Sequence, residues 1–315
     1  MTAQAQTEIM RCPSCGCTRL QARVKAGPSA DETVESVECT ACGLLMSLSG
    51  GILEAAPAGD EQLPYWDAHY ASEDQRPIVE ALKAGLGQPR LLYAHYPLAR
   101  LVGRLPLPLD SSIELGCGSG AFSLVLKKLG MVEKVTLLDY SMASLESARR
   151  LFELFEVPCE LVHSKIESAP FKPGSFDLAL SAGVIEHYRD AEERLGCLDK
   201  HLELGRFAFV QAPVSAPFYW LPRAAYTLAH RGWPFGYERP VRFTELRALA
   251  GLASAEVLAR DHQYFLSFPL YTRLHRLLKP GWYTLPFMNE VAILATRYAK
   301  GRPGARAALA AGGTF

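Results

Sequence analysis

From residue 112 onward the chain alternates short apolar runs with stretches of helical spacing. Ser112–Leu115 reads as a buried strand that ends in a glycine turn, and Ala121–Leu129 carries apolar residues at helical intervals. Lys134–Asp139 reads as a second strand. Ser141, a good N-cap, then opens a helix to about Phe155. Cys159–His163, Phe176–Ser181 and Arg206–Gln211 continue the strands, with helices at about Ala191–His201 and at Phe243–Ala250. Strands alternating with helices predict an α/β fold: a mostly parallel sheet with helices on both faces. In such folds ligands bind beyond the carboxyl ends of the strands. Upstream, Ala55–Gly59 with Pro57 looks like a linker. Tyr65–Tyr70 and Arg90–Leu105 are amphipathic and aromatic and suit helices covering an active-site mouth, before Pro106, Pro108 and Asp110 punctuate the chain.

Composition narrows the class. Of 315 residues, 49% are hydrophobic and 21% charged, enough for a large core and unlike a disordered chain. No apolar run reaches the ~18 residues of a membrane span, and Met1–Met10 lacks the apolar stretch of a secretory signal. A cytoplasmic, enzyme-sized chain is expected. Lys plus Arg and Asp plus Glu both total 33, a net charge of zero that counts against a nucleic-acid coat. The zero is a sum of unlike parts. Residues 1–60 hold four basic and seven acidic side chains, residues 61–216 hold 16 and 21, and residues 217–315 hold 13 and five. Residues 218–287 also carry 15 of the 31 aromatics, including Trp220, Trp233 and Trp282. An aromatic, basic segment suits an apolar or aromatic substrate with an anionic group. Core packing with solvated arginines explains it equally well.

Five of the eight cysteines fall within the first 42 residues, as Cys12-Pro-Ser-Cys15-Gly-Cys17 and Cys39-Thr-Ala-Cys42-Gly. Two Cys-x-x-Cys knuckles with 23 residues between them can offer four thiolates, from Cys12, Cys15, Cys39 and Cys42, to one tetrahedral zinc. Gly16 and Gly43 follow the second cysteine of each knuckle, where a positive φ is often needed. Reduced thiols or a redox pair are the alternatives, and Cys17 is a spare thiol that could replace Cys15. A closed four-sulfur site leaves no position for water, so such a zinc would be structural. The stretch Val37–Leu53 resembles the second half of zinc ribbons fused to methyltransferases. The acidic balance here suits packing or docking rather than gripping phosphates.

The first predicted strand ends in Glu114-Leu-Gly116-Cys-Gly118-Ser-Gly120. Glycines let the backbone pass close under a ligand and turn sharply into the next helix. Asp139 ends the second strand, 19 residues beyond Gly120, where a carboxylate can accept both ribose hydroxyls. Both features are shared with dinucleotide-binding enzymes. The run Ala169-Pro-Phe-Lys-Pro-Gly-Ser-Phe-Asp-Leu-Ala-Leu-Ser-Ala-Gly-Val-Ile-Glu-His-Tyr-Arg-Asp190 separates the readings. It resembles the Leu-Pro-Phe…Phe-Asp…Glu-His…Asp pattern of class I, Rossmann-like S-adenosylmethionine-dependent methyltransferases, with agreement over roughly residues 111–213.

The resemblance implies a sheet of seven strands, six parallel and one antiparallel, with Glu290–Arg297 as the last. It implies a cofactor site built from Glu114, Gly116, Gly118, Gly120, Asp139, Tyr140 and Met142, with Ser181 near the methyl group and His187 after that strand. Lys165 stands where the family often has an aspartate for the adenine amino group. Lysine cannot accept that bond, which leaves Ile166 or backbone groups for adenine. The turn Leu202–Arg206 also departs from the family pattern. His187 titrates in the range of a general base, or it orients the strand-end loop. Cys117 fits a small residue buried in the glycine turn, and His69, His95 and Trp66–Tyr70 either border the pocket or pack plainly.

The expected layout is a zinc ribbon (1–56), a linker and helical cap (57–110), a methyltransferase domain (111–300) with a lid insertion at about 214–243, and a flexible tail (301–315). The expected activity is methyl transfer by in-line displacement to a small, aromatic or apolar anionic biosynthetic intermediate. An RNA methyltransferase using the basic C-terminal region and a non-catalytic cofactor-binding partner protein are the alternatives.

Overall fold

A computed structural model describes residues 8–26, 32–56, 62–90, 96–214, 220, 223–224, 227–228, 236–264 and 288–297. His95, Trp233, Trp282, the tail 301–315 and most of the lid insertion and of the aromatic segment lie outside the described residues.

Eleven strands of the described residues form one sheet. β1 (Leu20–Ala26), β2 (Glu32–Cys39), β3 (Leu45–Ser49) and β4 (Ile52–Ala56) come from the cysteine-bearing region. β5 (Leu109–Leu115), β6 (Val132–Asp139), β7 (Glu160–Ser164), β8 (Phe176–Ala182) and β9 (Gly205–Pro213) follow, then β10 (Ala255–Tyr264) and β11 (Met288–Arg297). The order is β1-β2-β3-β4-β7-β6-β5-β8-β9-β11-β10. β5 to β9 are mutually parallel, β11 is antiparallel to β9, and β10 is antiparallel to β11. These seven strands therefore contain six running one way and one running the other.

The helices are α1 (Leu63–Ala71), α2 (Arg76–Leu86), α3 (Pro97–Val102), α4 (Ala121–Lys128), α5 (Met142–Leu154), α6 (Ala191–Leu204) and α7 (Phe243–Leu252). Both faces of the sheet are covered. On β9, Phe207 and Phe209 join the cluster under α3, α4 and α5, whereas Ala208, Val210 and Ala212 join the one under α6 and α7. Successive side chains on a strand take opposite faces, so a strand buried on both sides is apolar without a break. α5 starts where the Ser141 hydroxyl accepts the Ser144 N–H at 3.1 Å. It buries Leu145, Ala148, Leu151 and Phe152, spaced to share one helical face. Asp190 caps α6 in the same way through the Glu193 N–H, at 2.9 Å.

Two features differ from the sequence reading. The cysteine region extends the main sheet: β4 pairs in parallel with β7, Ile52 opposite Leu161 and Leu53 opposite Val162. The sheet thus has more than the seven expected strands, and Ala55 and Ala56, read as linker, belong to β4. An unpaired β7 would expose a row of N–H and C=O groups, and β4 satisfies that edge. The second difference is α3, expected at an active-site mouth. Pro97, Leu98, Ala99, Leu101 and Val102 are all buried, packed on β10 and β11, because a six-residue helix with a single charged side chain has almost no polar face to offer water. That side chain, Arg100, pairs with Asp261 of β10 at 2.5 Å. No helix among the described residues is long and apolar enough to cross a membrane.

Candidate active site and cysteine cluster

A cleft of about 590 Å³ opens at the carboxyl ends of β5, β6, β7 and β8, within the range that holds drug-sized ligands. Its floor is the turn after β5. Gly116 and Cys117 both donate their N–H to the Leu138 carbonyl, at 2.8 and 3.1 Å, which bends the chain across the end of β6. Gly116 (φ +69°) and Gly118 (φ +52°) hold a backbone conformation that side chains disfavour, and both approach neighbours closely. A Cβ on Gly116 would lie 2.8 Å from Val184 Cγ2, and one on Gly118 would lie 2.2 Å from the Tyr70 hydroxyl oxygen. Gly118→Ala should therefore destabilise the fold by about 1–2 kcal/mol from the left-handed backbone alone, with a further loss from the clash. Denaturant unfolding checks this: the substitution should cost less in a Tyr70→Ala background than in the parent.

Asp139 is the centre of the cleft's charge. One of its oxygens accepts the Gly118 N–H and the other the Ser141 N–H, each at 2.9 Å. Burial pushes its carboxyl up to about 6, opposed by those N–H groups and by His163. Ser144, whose buried hydroxyl has no protein partner, lies beside it in the cleft lining.

Above this floor lies α1. Trp66 and Tyr70 line the cleft, the first of the two roles open to them in the sequence, while His69 stacks on Tyr65 and lies outside the lining. Asp67 accepts the Ser141 hydroxyl at 2.6 Å and Glu73 accepts the Ser147 hydroxyl at 2.8 Å, clamping α1 and the turn after it onto α5. On the far side the chain makes a 3-10 turn, Ile185–His187. The His187 Nδ1 lies 2.6 Å from the Tyr237 carbonyl. A carbonyl only accepts, so Nδ1 carries the proton and Nε2 is left as an acceptor. Burial holds the His187 imidazole below its ordinary range, against the opposite pull of the Tyr237 carbonyl and Glu238. The Trp66 ring meets it edge-on, centroids 5.1 Å apart.

Of the residues singled out in the sequence, Gly116, Gly118, Asp139, Tyr140, Ile166 and His187 surround the cleft. Four do not line it. Glu114 is buried, pushed up to about 7 by that burial, and accepts the Ser123 N–H at 3.0 Å, bracing the turn into α4. Gly120 precedes α4 beneath Leu137 and Phe152, and Met142 packs against the core. Ser181, expected near the reacting centre, is wholly buried. The Ser181 hydroxyl donates to His201 Nε2 at 2.8 Å, because the His201 Nδ1–H is already given to the Cys197 carbonyl. Gly183, read together with Ser181 at this strand end, lines the cleft with Val184 just past β8. Lys165 lines the cleft beside Ile166, as does Glu167, which accepts the Tyr188 hydroxyl at 2.6 Å across one end. That pair carried no signal in the sequence.

The second cluster is the four cysteines. Their sulfurs all lie within 4.8 Å of one another, with Cys12 to Cys42 and Cys15 to Cys39 each at 3.6 Å. A tetrahedron with metal–sulfur bonds of about 2.3 Å has edges of about 3.8 Å, so the donor set fits zinc. Both knuckles have one geometry: the Gly16 N–H donates to the Cys12 carbonyl and the Gly43 N–H to the Cys39 carbonyl, each at 2.9 Å. Cys17, weighed as a substitute for Cys15, stands outside the cluster and accepts the Arg19 N–H at 3.4 Å.

Residues 113–209 match the family described as "Methyltransferase domain". A 2-methyl-6-phytyl-1,4-hydroquinone methyltransferase from Oryza sativa subsp. japonica is 34% identical over 111 residues, 35% of this chain and 33% of that protein. The chain thus spans about a third of the length of the hydroquinone methyltransferases it matches. A ubiquinone biosynthesis O-methyltransferase from Methylocella silvestris is 28% identical over 189 residues, 58% of this chain and 68% of that protein. Among solved structures, magnesium protoporphyrin IX methyltransferase from Synechocystis PCC 6803 is similar with a TM-score of 0.47 and 16% identity, covering 75% of this chain and 93% of that one. Residues 113–209 of this chain thus form a methyltransferase domain.

Proposed function

We propose that the chain is an S-adenosylmethionine-dependent methyltransferase that methylates a small, aromatic or apolar anionic biosynthetic intermediate. The observation that carries this reading is Asp139 at the end of β6, facing one cleft with Gly116, Gly118, Trp66 and His187. The cofactor fits these residues. Gly116 and Gly118 line the cleft with bare backbone, Asp139 can accept ribose hydroxyls, and Ile166 can pack on adenine where Lys165 cannot accept its amino group. When bound, S-adenosylmethionine supplies an activated methyl group for in-line displacement by the acceptor's nucleophile.

This chain's residues then have three tasks: alignment, exclusion of water and removal of one proton. Trp66 and Tyr70 close the cleft from above and offer an aromatic face to a flat acceptor. The His187 Nε2, held as an acceptor by the bond at Nδ1, takes the proton that an aromatic hydroxyl loses as its oxygen bonds to the methyl carbon. The names of the relatives point the same way, one specifying a hydroquinone and the other an O-methyltransferase of ubiquinone biosynthesis. A hydroquinone or related phenol is the acceptor class we favour. Zinc in the four-cysteine cluster is the second part of this reading, in a structural role.

Calorimetry with S-adenosylmethionine and its demethylated product tests the cofactor claim. Binding should be seen in the parent and should weaken on the order of 10- to 100-fold in Asp139→Ala, the worth of a charge-assisted hydrogen bond of about 1.5–3 kcal/mol. Absence of binding by either ligand, with Asp139→Ala indistinguishable from the parent, defeats the proposal. Labelled-methyl transfer to a panel of phenols, run beside an RNA substrate, then separates the acceptor classes.

A further inference from the structure

The orientation of His187 is not set by its own turn alone. Its Nδ1–H is given to Tyr237, which belongs to residues 236–242, just before α7. That segment is tied to the catalytic side at several points. The Arg239 N–H donates to the Glu186 carbonyl and the Val241 N–H to the Pro213 carbonyl, each at 2.9 Å. The third tie is Arg194 of α6, whose side chain is 0% exposed. Its Nε donates to the Tyr188 carbonyl at 3.1 Å, its Nη2 to the Arg239 carbonyl at 3.3 Å and its Nη1 to Glu245 Oε1 at 2.8 Å. The same Glu245 oxygen pairs with the Arg239 guanidinium. One planar cation thus joins the residue after His187, the second residue after Tyr237 and the first turn of α7.

A buried guanidinium is an expensive way to hold a core together. Apolar residues of similar volume often serve stability as well or better, whereas a fork of fixed donors specifies position. Here the positions specified are the two backbone segments on either side of the His187–Tyr237 hydrogen bond. We propose that Arg194, held by Glu245, is a positioning residue that keeps His187 in the Nδ1–H tautomer, which makes Nε2 the ring's acceptor nitrogen. The proposal rests on the reading of His187 as the proton acceptor for its catalytic consequence, but not for its structural one. Lysine at 194 would keep the charge but could not bridge the Tyr188 carbonyl, the Arg239 carbonyl and Glu245 in one plane. Without the clasp the Tyr237 carbonyl drifts from Nδ1, and the proton is shared between the two ring nitrogens.

The test uses the full-length chain labelled with ¹⁵N-histidine, the His187 signals being assigned by their loss in His187→Gln. In the parent, imidazole ¹⁵N shifts should show one neutral tautomer, protonated at Nδ1. In Arg194→Lys, folded by circular dichroism, the shifts should move toward a mixture of tautomers, and kcat should fall about tenfold with KM little changed. Glu245→Gln, at a partly exposed position, should shift the same signals in the same direction by less. It carries the test if Arg194→Lys does not fold. Parent-like His187 signals in a folded Arg194→Lys, or in Glu245→Gln where that variant stands alone, overturn the proposal. If His187→Gln retains full kcat while the tautomer still shifts in Arg194→Lys, the proton-acceptor reading fails and the positioning role stands.

Discussion

Replacing His187 by alanine should lower kcat for an aromatic hydroxyl acceptor by about 10²–10⁴-fold and leave KM nearly unchanged, the usual worth of a positioned general base. The split follows from where the group acts. Nε2 meets the proton only as the acceptor's oxygen becomes nucleophilic, so its loss raises the barrier without removing ground-state contacts. The pH profile has a definite sign. Burial lowers the imidazole's pKa in the folded protein, so the neutral, proton-accepting form prevails at pH 7. Activity should therefore be lost only on the acid side, as pH falls through that lowered value, below the ordinary histidine range. The charged neighbour Glu238 opposes the effect of burial, so Glu238→Gln should move the acid limb to lower pH still. Steady-state kinetics across pH checks both statements. An unchanged kcat in His187→Ala would leave His187 the other role open in the sequence, that of orienting the loop after β8.

The parts of the molecule legible in the sequence are those whose information is local. β5 to β9 are apolar runs bounded by turns, and Ser141 marks a helix start by its own hydrogen bond. The Gly118 N–H after β5 and the Asp139 carboxylate at the end of β6 meet in a hydrogen bond within one β-α-β unit, which explains why motif and structure coincide there. What was hidden depends on pairing between distant segments. β10 is broken by Glu256, Arg260 and Asp261, and Asp261 is accounted for only once Arg100 packs beside it. The fusion of β4 to β7 is a meeting of two edges that carry no residue signature. Ser181 sits at the right strand end but on the inward face, where His201, 20 residues away, captures its hydroxyl. α1 buries none of its residues, so its pattern could not tell cleft lining from packing.

Removing zinc from the four-cysteine cluster should destabilise far more than the ribbon. Metal analysis of the parent should find about one zinc per chain, a structural site of four thiolates being worth about 10–16 kcal/mol in isolated peptides. The cluster's sulfurs hold Cys12 and Cys39 together, and with them the ends of β2 and of the N-terminal segment. That segment continues into the domain: Met10 forms a bridge with Phe171, Arg11 donates its N–H to the Pro170 carbonyl at 3.0 Å, and Arg11 pairs with Glu203 of α6 at 2.5 Å. Met10, Val37, Met46 and Ala55 share one buried cluster with Ile113, Leu138, Val162 and Ile166. Ile166 is a wall of the cleft. Chelation, or Cys12→Ser with Cys42→Ser, should thus loosen β1–β4, bare the edge of β7 and undercut the wall assigned to adenine. A loss of about 5 kcal/mol would lower Tm by roughly 10–20 °C in a domain of this size. Binding of the demethylated cofactor product should weaken in parallel, measured by calorimetry below the lowered Tm. The redox alternative makes the opposite prediction, since a redox pair needs no metal for folding. A metal-free chain with parent Tm and parent product affinity would remove zinc from the account and leave four thiols whose proximity needs another cause.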